Sequence, residues 1–409
     1  MVIGVALQTK EVEGFYVMNS KDFRSTPAGR LVRSQAGGWA FLPDPLPPQL
    51  SWGRELIFAL SAADRALGEL AGLARSQPNL ALLARPLIYR EAVFSSRLAG
   101  SQASLNDLYI FEAFQAPLLE KVSGLRAIQN YIRALAYGLG RLKNAPLSLS
   151  LLAELHVLLL EGQGGRQQLP GEFRKDRDLI RSSTGAGEAW RYAPPPALQL
   201  QQALQDFEKN LRAPPDLPPL IQLGLVHYQF AAIQPFVEGS GRIGRLLVSL
   251  LLCSWDLLPQ PLLYLSAYLE AHRQAYLGHL QMVSQQGQWE EWLVYFLQGV
   301  KTQAEDAALR LRHLQELRQQ YHTLFQATRA AGRLMQLIDL LFEQPVLSIQ
   351  QVSMALGVQN PVAQQYVGQL KEAGILREII GQARNRIYQA DEILFAIEGS
   401  LLGSRQTGL

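Results

Sequence analysis

The sequence predicts a mainly α protein, and three observations carry that prediction. Of its 409 residues, 48% are apolar, enough for a sizeable core. Apolar residues recur at helical spacing through most of the chain, with prolines near segment starts and glycines after segment ends. Strand signals are confined to a loop or hairpin over residues 162–196 and a hairpin near the C-terminus.

Residues 1–50 read as irregular chain. Their proline cluster, FLPDPLPPQL over residues 41–50, suits extended packing against a helical body. Residues 51–119 are mainly helical by period. Within them RPLIYREAVFSSRLAG, residues 85–100, reads as a helix with a proline near its start and a glycine at its end. Two amphipathic helices follow at 124–142 and 148–161. The glycine, serine and proline content of 162–196 then interrupts the pattern. Residues 219–233 and 243–255 are apolar helices, and helices continue to about residue 330, with 304–320 reading as a solvated face. Over residues 333–400, three short helical patterns and a two-stranded hairpin predict a winged helix-turn-helix.

Composition excludes several functions. A net charge of +3 is nearly balanced, so nothing global calls for nucleic acid or a membrane. The lone cysteine, Cys253, rules out an internal disulfide and a thiolate metal cluster, and reads as a buried thiol. No basic flank precedes a long apolar run at the N-terminus, and no later run is long enough to span a bilayer. A reducing cytoplasmic setting is the expectation. His156, His272, His279, His313 and His322 lack zinc-ligand spacing, and there is no nucleophile elbow or Walker loop.

The chemistry concentrates in QPFVEGSGRIGR, residues 234–245, a turn between two helices. Gly239 and Gly241 permit a sharp turn, and the unpaired N–H groups opening the next helix suit a phosphate chain. Ser240 adds one hydroxyl donor. Glu238 is a natural Mg2+ ligand, or an acid favoured by the helix dipole. Arg242 and Arg245, three apart, can both face one anion, or form structural ion pairs. Gln234 has no basic nitrogen near neutral pH, so it can orient a hydroxyl but cannot accept its proton. His227 lies about 10 Å upstream along the helix axis, too far to replace such a base, and reads as a packed core histidine.

These residues resemble the core motif HPFx(D/E)GNGRxxR of the Fic (Fido) family, with Gln234 in place of the histidine and Ser240 in place of the asparagine. FLPDPLPP, RPLIYREAVFSSRLAGSQASLNDL, PGEFR and RYAPPP are also similar to the family, so the resemblance spans nearly the whole chain. It implies a Fic-type helical core with a β-hairpin flap, an N-terminal helical extension and a C-terminal winged helix-turn-helix. It divides the chain into 1–119, 120–330 and 331–409. It also implies ATP and Mg2+ as ligands and AMP transfer to a protein hydroxyl, with Arg242 and Arg245 at the β- and γ-phosphates.

Two further departures follow from the resemblance. Regulated members carry (S/T)xxxE(G/N), whose glutamate blocks the second arginine; here the run begins at Ser95 and the glutamate position is Ala99. In the flap, where targets dock by strand addition, only Ile180 keeps the family character. The expectation is an ATP- and Mg2+-binding protein with weak or no transferase activity, on an unknown protein target. The alternative is a non-catalytic regulator acting through its winged helix on DNA or a protein. DNA contact through residues 333–392 is open, with Gln364, Gln365, Arg384 and Arg386 as candidates. That stretch carries five basic against six acidic residues, poor charge for phosphate neutralisation. A homodimer is equally open.

Overall fold

The structure is a computed structural model that describes residues 20–23, 28–33, 38–114, 124–163, 169–175, 193–213, 216–328, 330–382 and 385–399. A short 3-10 turn at Ser20–Asp22 precedes an antiparallel hairpin, β1 (Gly29–Arg33) and β2 (Trp39–Pro43), in which Gly29 faces Pro43. This corrects the reading of residues 1–50 as irregular. The apolar run Trp39–Leu42 lies just before the proline cluster, and those prolines dominate the local signal. The Phe41 N–H bonds Ala193 O at 2.9 Å, fixing the hairpin beside the chain that enters the helical core.

Helices α1 (Arg54–Arg75), α2 (Leu80–Leu98), α3 (Leu105–Phe114), α4 (Leu125–Leu142) and α5 (Leu149–Leu160) follow. Ser148 caps α5 by accepting the Leu151 N–H. Helix α2 starts before Pro86 rather than at it. Leu82, Leu83 and Ala84 are buried, so their packing sustains a first turn despite the missing proline N–H. Next come α6 (Ala197–Arg212), α7 (Pro219–Ile233), α8 (Ser240–Ser254), α9 (Leu265–Ala271), α10 (Arg273–Gln286) and α11 (Trp289–Phe325). All of α7 except Pro219 and Ala231 is buried, as expected of a helix apolar on every side. Helix α8 packs against it, so the partly exposed turn between them is carried by two core helices.

Helix α11 packs along α1. Residues 304–320 are not simply a solvated face. Ala304, Ala307, Ala308, Leu311, Leu314 and Leu317 form a buried seam together with the buried Arg310, and the other charges lie to its sides.

The remainder is α12 (Ala331–Glu343), β3 (Val346–Ser348), α13 (Ile349–Leu356), α14 (Asn360–Glu372), β4 (Arg377–Gln382), β5 (Asn385–Gln389) and α15 (Asp391–Glu398). The strands pair antiparallel in the order β3-β5-β4. A capping box between Ser348 and Gln351 starts α13. Strand β3 and helix α15 are additions to the pattern expected from sequence. The terminal helix is buried through Ile393, Leu394, Ala396 and Ile397. Its last carbonyls accept from two buried guanidinium groups: Arg90 on α2 bonds Ile397 O at 2.7 Å, and Arg310 on α11 bonds Ile397 O at 2.8 Å and Gly399 O at 3.0 Å. Arg85 also pairs with Glu343 at 3.3 Å, and Gln351 bonds Glu112 O at 3.0 Å. The C-terminal elements are thus bonded to α2 and α3, and one cluster of buried apolar side chains runs from Ala28 to Ile397. Among the described residues, no helix is long and apolar enough to cross a membrane.

Candidate functional site

The turn between α7 and α8 is held from below by side chains far away in sequence. Gln234 takes the left-handed conformation, φ 43° and ψ 68°, unusual for a residue with a side chain. Arg174 stabilises that kink. Its Nε donates to Gln234 O at 2.7 Å, its Nη2 to Ile233 O at 2.9 Å, and its backbone N–H to Pro235 O at 3.0 Å. A cation at the C-terminal carbonyls of α7 is electrostatically favoured as well. The segment PGEFR therefore carries the guanidinium that sets the motif's first bend.

His156 on α5 fixes the next part of the turn. Its ring stacks on Phe236 with centroids 3.9 Å apart. The Gly171 N–H donates to Nδ1 at 3.0 Å, so the neutral ring carries its proton on Nε2, which donates to Glu238 O at 2.8 Å. Burial holds the pKa of this imidazole below its ordinary value. Gly239 has φ 80°, and a Cβ there would lie 3.3 Å from His156 Nε2. A side chain at 239 would therefore be strained in its backbone and crowded by the ring.

Ser240 closes the loop by accepting the Phe236 N–H and donating to Phe236 O, both at 2.9 Å. The hydroxyl proton expected from sequence to face a phosphate is committed to the turn itself. The residue's backbone N–H, in the first turn of α8, lacks a partner within the helix.

The two arginines of α8 have different surroundings. Arg242 is only 5% exposed, yet its nearest acceptors are Gln163 Oε1 at 3.4 Å and a Glu238 carboxylate oxygen at 3.9 Å. Its Nε has no hydrogen-bond partner. Burial pushes its pKa down to about 10, against the pull of Glu238. Arg245 is instead bonded to α2: Nε donates to Ser95 Oγ at 2.9 Å and Nη2 to Ser95 O at 2.8 Å. A Cβ on Gly241 would come within 3.1 Å of Arg245 Nη1, so the glycine leaves room for that guanidinium. Ala99 is exposed at the C-terminal cap of α2, one turn beyond Ser95, and has only a methyl group to offer.

The structure thus assembles Gln234, Glu238, Gly239, Ser240, Gly241, Arg242, Arg245 and Ser95 around one turn. His156 and Arg174 belong to the same assembly, and sequence reasoning missed both. No local pattern connects His156 to a loop some eighty residues later. Ile180 and Arg384 lie outside the described residues. Gln364 and Gln365 are exposed on α14, whereas Arg386 sits 3.8 Å and Lys371 3.1 Å from the same Glu378 carboxylate. His227 is buried among Tyr276, Trp292 and Phe296, with Nε2 2.9 Å from Tyr276 Oη, and burial pushes its pKa down to about 3. Burial pushes the Cys253 thiol up to about 12. Among the described residues, no group of three or more His, Cys, Asp or Glu side chains is placed to hold a metal ion.

Comparison with known proteins agrees with this architecture. Residues 57–140 match the Fic/DOC family N-terminal model, and residues 146–252 match the Fic/DOC family model, which contains the turn. A Fic family protein from Desulfovibrio desulfuricans is similar in structure, with a TM-score of 0.51 at 17% identity over 84% of this chain and 98% of that one. A Fic domain-containing signaling protein from Bacteroides thetaiotaomicron aligns with a TM-score of 0.47 at 16% identity over 61% of this chain and 95% of that one. Residues 134–508 of Fic-1 from C. elegans align with a TM-score of 0.49 at 16% identity over 64% of this chain and 74% of that one. Both family matches and the mainly helical fold identify the chain as a Fic/Fido-domain protein.

Proposed function

We propose that this protein binds ATP with Mg2+ in the α7–α8 turn and transfers AMP to a protein hydroxyl weakly or not at all. The observation that carries the first half is Arg242, a nearly fully buried guanidinium without a close acceptor. Burying that charge with only a long hydrogen bond and a 3.9 Å ion pair is costly, and an anionic oxygen at its Nη groups would offset the cost. Arg242 and the first N–H groups of α8 would hold phosphate oxygens. Glu238, half exposed beside Arg242, offers the single carboxylate that Mg2+ needs when phosphates and waters supply its other ligands. Bound in this way, the triphosphate would supply an adenylyl group with pyrophosphate as its leaving group, and Mg2+ would neutralise phosphate charge.

The second half rests on Gln234. Its carboxamide can orient a hydroxyl but cannot take the proton, a loss worth about a hundred-fold to ten-thousand-fold in rate. In this reading residues 1–119 form the N-terminal extension, 120–330 the Fic/Fido domain and 331–409 a winged helix-turn-helix.

A second reading is a nucleotide-responsive regulator that works through its C-terminal elements. One observation favours it: α2 holds Arg245 through Ser95 and the end of α15 through Arg90. Charge favours a protein partner over DNA, because Lys371 and Arg386 share the Glu378 carboxylate and residues 333–392 carry five basic against six acidic residues. Incubation with α-labelled ATP separates the readings. Label on the native chain supports a transferase. Label only on Gln234→His with Ser240→Asn supports a nucleotide-binding relic. Label on neither, with no rise in melting temperature under MgATP, overturns both.

A further inference from the structure

We propose that Glu91 on α2 is a positioning residue for Arg245: as a carboxylate it draws the guanidinium toward α2, and as a neutral acid it leaves the guanidinium to an outer phosphate in the α7–α8 turn. The inference rests on the nucleotide reading above and adds a regulation of the same site. Arg245 stands between two claims. Its Nε and Nη2 are bonded to Ser95 of α2, whereas Nη1 lies beside Gly241 in the first turn of α8, where a phosphate would sit. The two Ser95 atoms that accept these bonds are neutral, so the pull from the α2 side depends on the charge behind them. Glu91 supplies it. Residues 91 and 95 are four apart and share one face of α2, and the Glu91 carboxylate attracts Arg245 electrostatically.

A line of hydroxyls joins the two charges. Ser95 Oγ accepts from Arg245 Nε at 2.9 Å, which leaves its own proton for the Tyr131 hydroxyl of α4, with which it interacts. Tyr131 Oη donates in turn to Glu91 Oε1 at 3.1 Å, and Ser266 near the start of α9 donates to the same carboxylate through its hydroxyl and its N–H. Donors thus run in one direction from Arg245 to Glu91, an order that a negative charge at its end reinforces. Every side chain of the line is buried, so salt screens the pair little. The other charges packed against α2 face different residues: Glu112 of α3 and Glu343 of α12 face Arg85, while Asp306 and Arg310 of α11 and Glu398 of α15 face Arg90. The groups that act on Glu91 are Arg245, Tyr131 and Ser266. Burial outweighs them and raises the carboxyl pKa to about 7, so both forms are populated near neutral pH. Protonation leaves Arg245 a buried cation bonded to neutral atoms, which favours its capture of an anion.

Isothermal titration of the full chain with MgATP and with AMP tests the proposal, on the native protein, Glu91→Gln and Tyr131→Phe across neutral pH. The quantity read is the ATP-to-AMP affinity ratio of a variant divided by that of the native chain at the same pH, because the ionisation of the nucleotides cancels in it. For Glu91→Gln this quotient should be near one at pH 6 and rise to about fivefold or more at pH 8, where native Glu91 is ionised. Tyr131→Phe removes a donor from the carboxylate, so the loss of ATP preference with rising pH should persist with its midpoint moved to higher pH. A merely structural role would weaken both nucleotides together and leave that midpoint in place. Should Glu91→Gln not melt cooperatively, the midpoint in Tyr131→Phe decides. A quotient for Glu91→Gln that stays flat from pH 6 to pH 8, or an unmoved midpoint in Tyr131→Phe, overturns the proposal and leaves nucleotide binding intact. Absence of heat from both nucleotides in the native chain removes the nucleotide reading and this inference with it.

Discussion

Arg245 is held by Ser95 through two hydrogen bonds, to the hydroxyl at 2.9 Å and to the backbone carbonyl at 2.8 Å. The second arginine of the motif is therefore occupied by α2, while the first, Arg242, is buried and under-satisfied. Hydrogen bonds to a charged group are worth roughly 1.5–3 kcal/mol, enough to compete with a weak phosphate contact.

Ser95→Ala should release part of that hold. The Oγ acceptor is lost and the carbonyl remains, so stability should fall by about 1.5–3 kcal/mol in denaturant titrations. Affinity for ATP relative to AMP should rise by up to about tenfold, because Arg245 becomes available to an outer phosphate. An unchanged ATP-to-AMP preference would show that Arg245 serves only the fold.

His156→Phe should keep the stack on Phe236 and lose both hydrogen bonds to the turn. Two bonds at about 1 kcal/mol each set the expected loss in stability, and nucleotide affinity should fall with it as Glu238 and Gly239 loosen. The native residue also gives a pH signature. Its pKa is depressed on folding, so its contribution is present above the ordinary histidine value near 6.5 and is lost as pH falls through the lower folded value. Stability of the variant should decline less between pH 7 and pH 5.

Glu91 gives the opposite signature. It is fully buried and accepts from Ser266 N at 3.0 Å, from Ser266 Oγ, and from Tyr131 Oη at 3.1 Å. Burial outweighs these donors and raises its pKa from 4.5 to about 7. A raised pKa contributes stability that is complete below the unfolded value and is lost as pH rises through 7. The difference is worth roughly 3 kcal/mol. Glu91→Gln should flatten the stability curve between pH 5 and pH 8; a parallel curve displaced at every pH would contradict the assignment.

Much of this architecture was legible because helices announce themselves locally. Helix α7 occupies the residues its apolar run predicts, 219–233, and the turn after it falls where the glycines of GSG require. What stayed hidden was long-range. Arg174 and His156 reach the turn only through tertiary packing, and a neutral histidine whose two nitrogens bond backbone groups leaves no spacing pattern. The seam on α11 was obscured because the same stretch also carries charges. The β1–β2 hairpin was missed because prolines follow directly on its second strand. The partner of the Ser240 hydroxyl was hidden for a related reason: a serine four residues after Phe236 can close a turn or face a ligand, and only the folded chain shows which group takes its proton.

Calorimetry with MgATP on the native chain and on Arg242→Gln, each verified to melt cooperatively, tests the central claim most directly. The account predicts heat of association for the native protein and affinity at least about tenfold weaker for the variant, equivalent to about 1.4 kcal/mol. Absence of heat from the native chain at millimolar nucleotide, or equal affinity in Arg242→Gln, would contradict it.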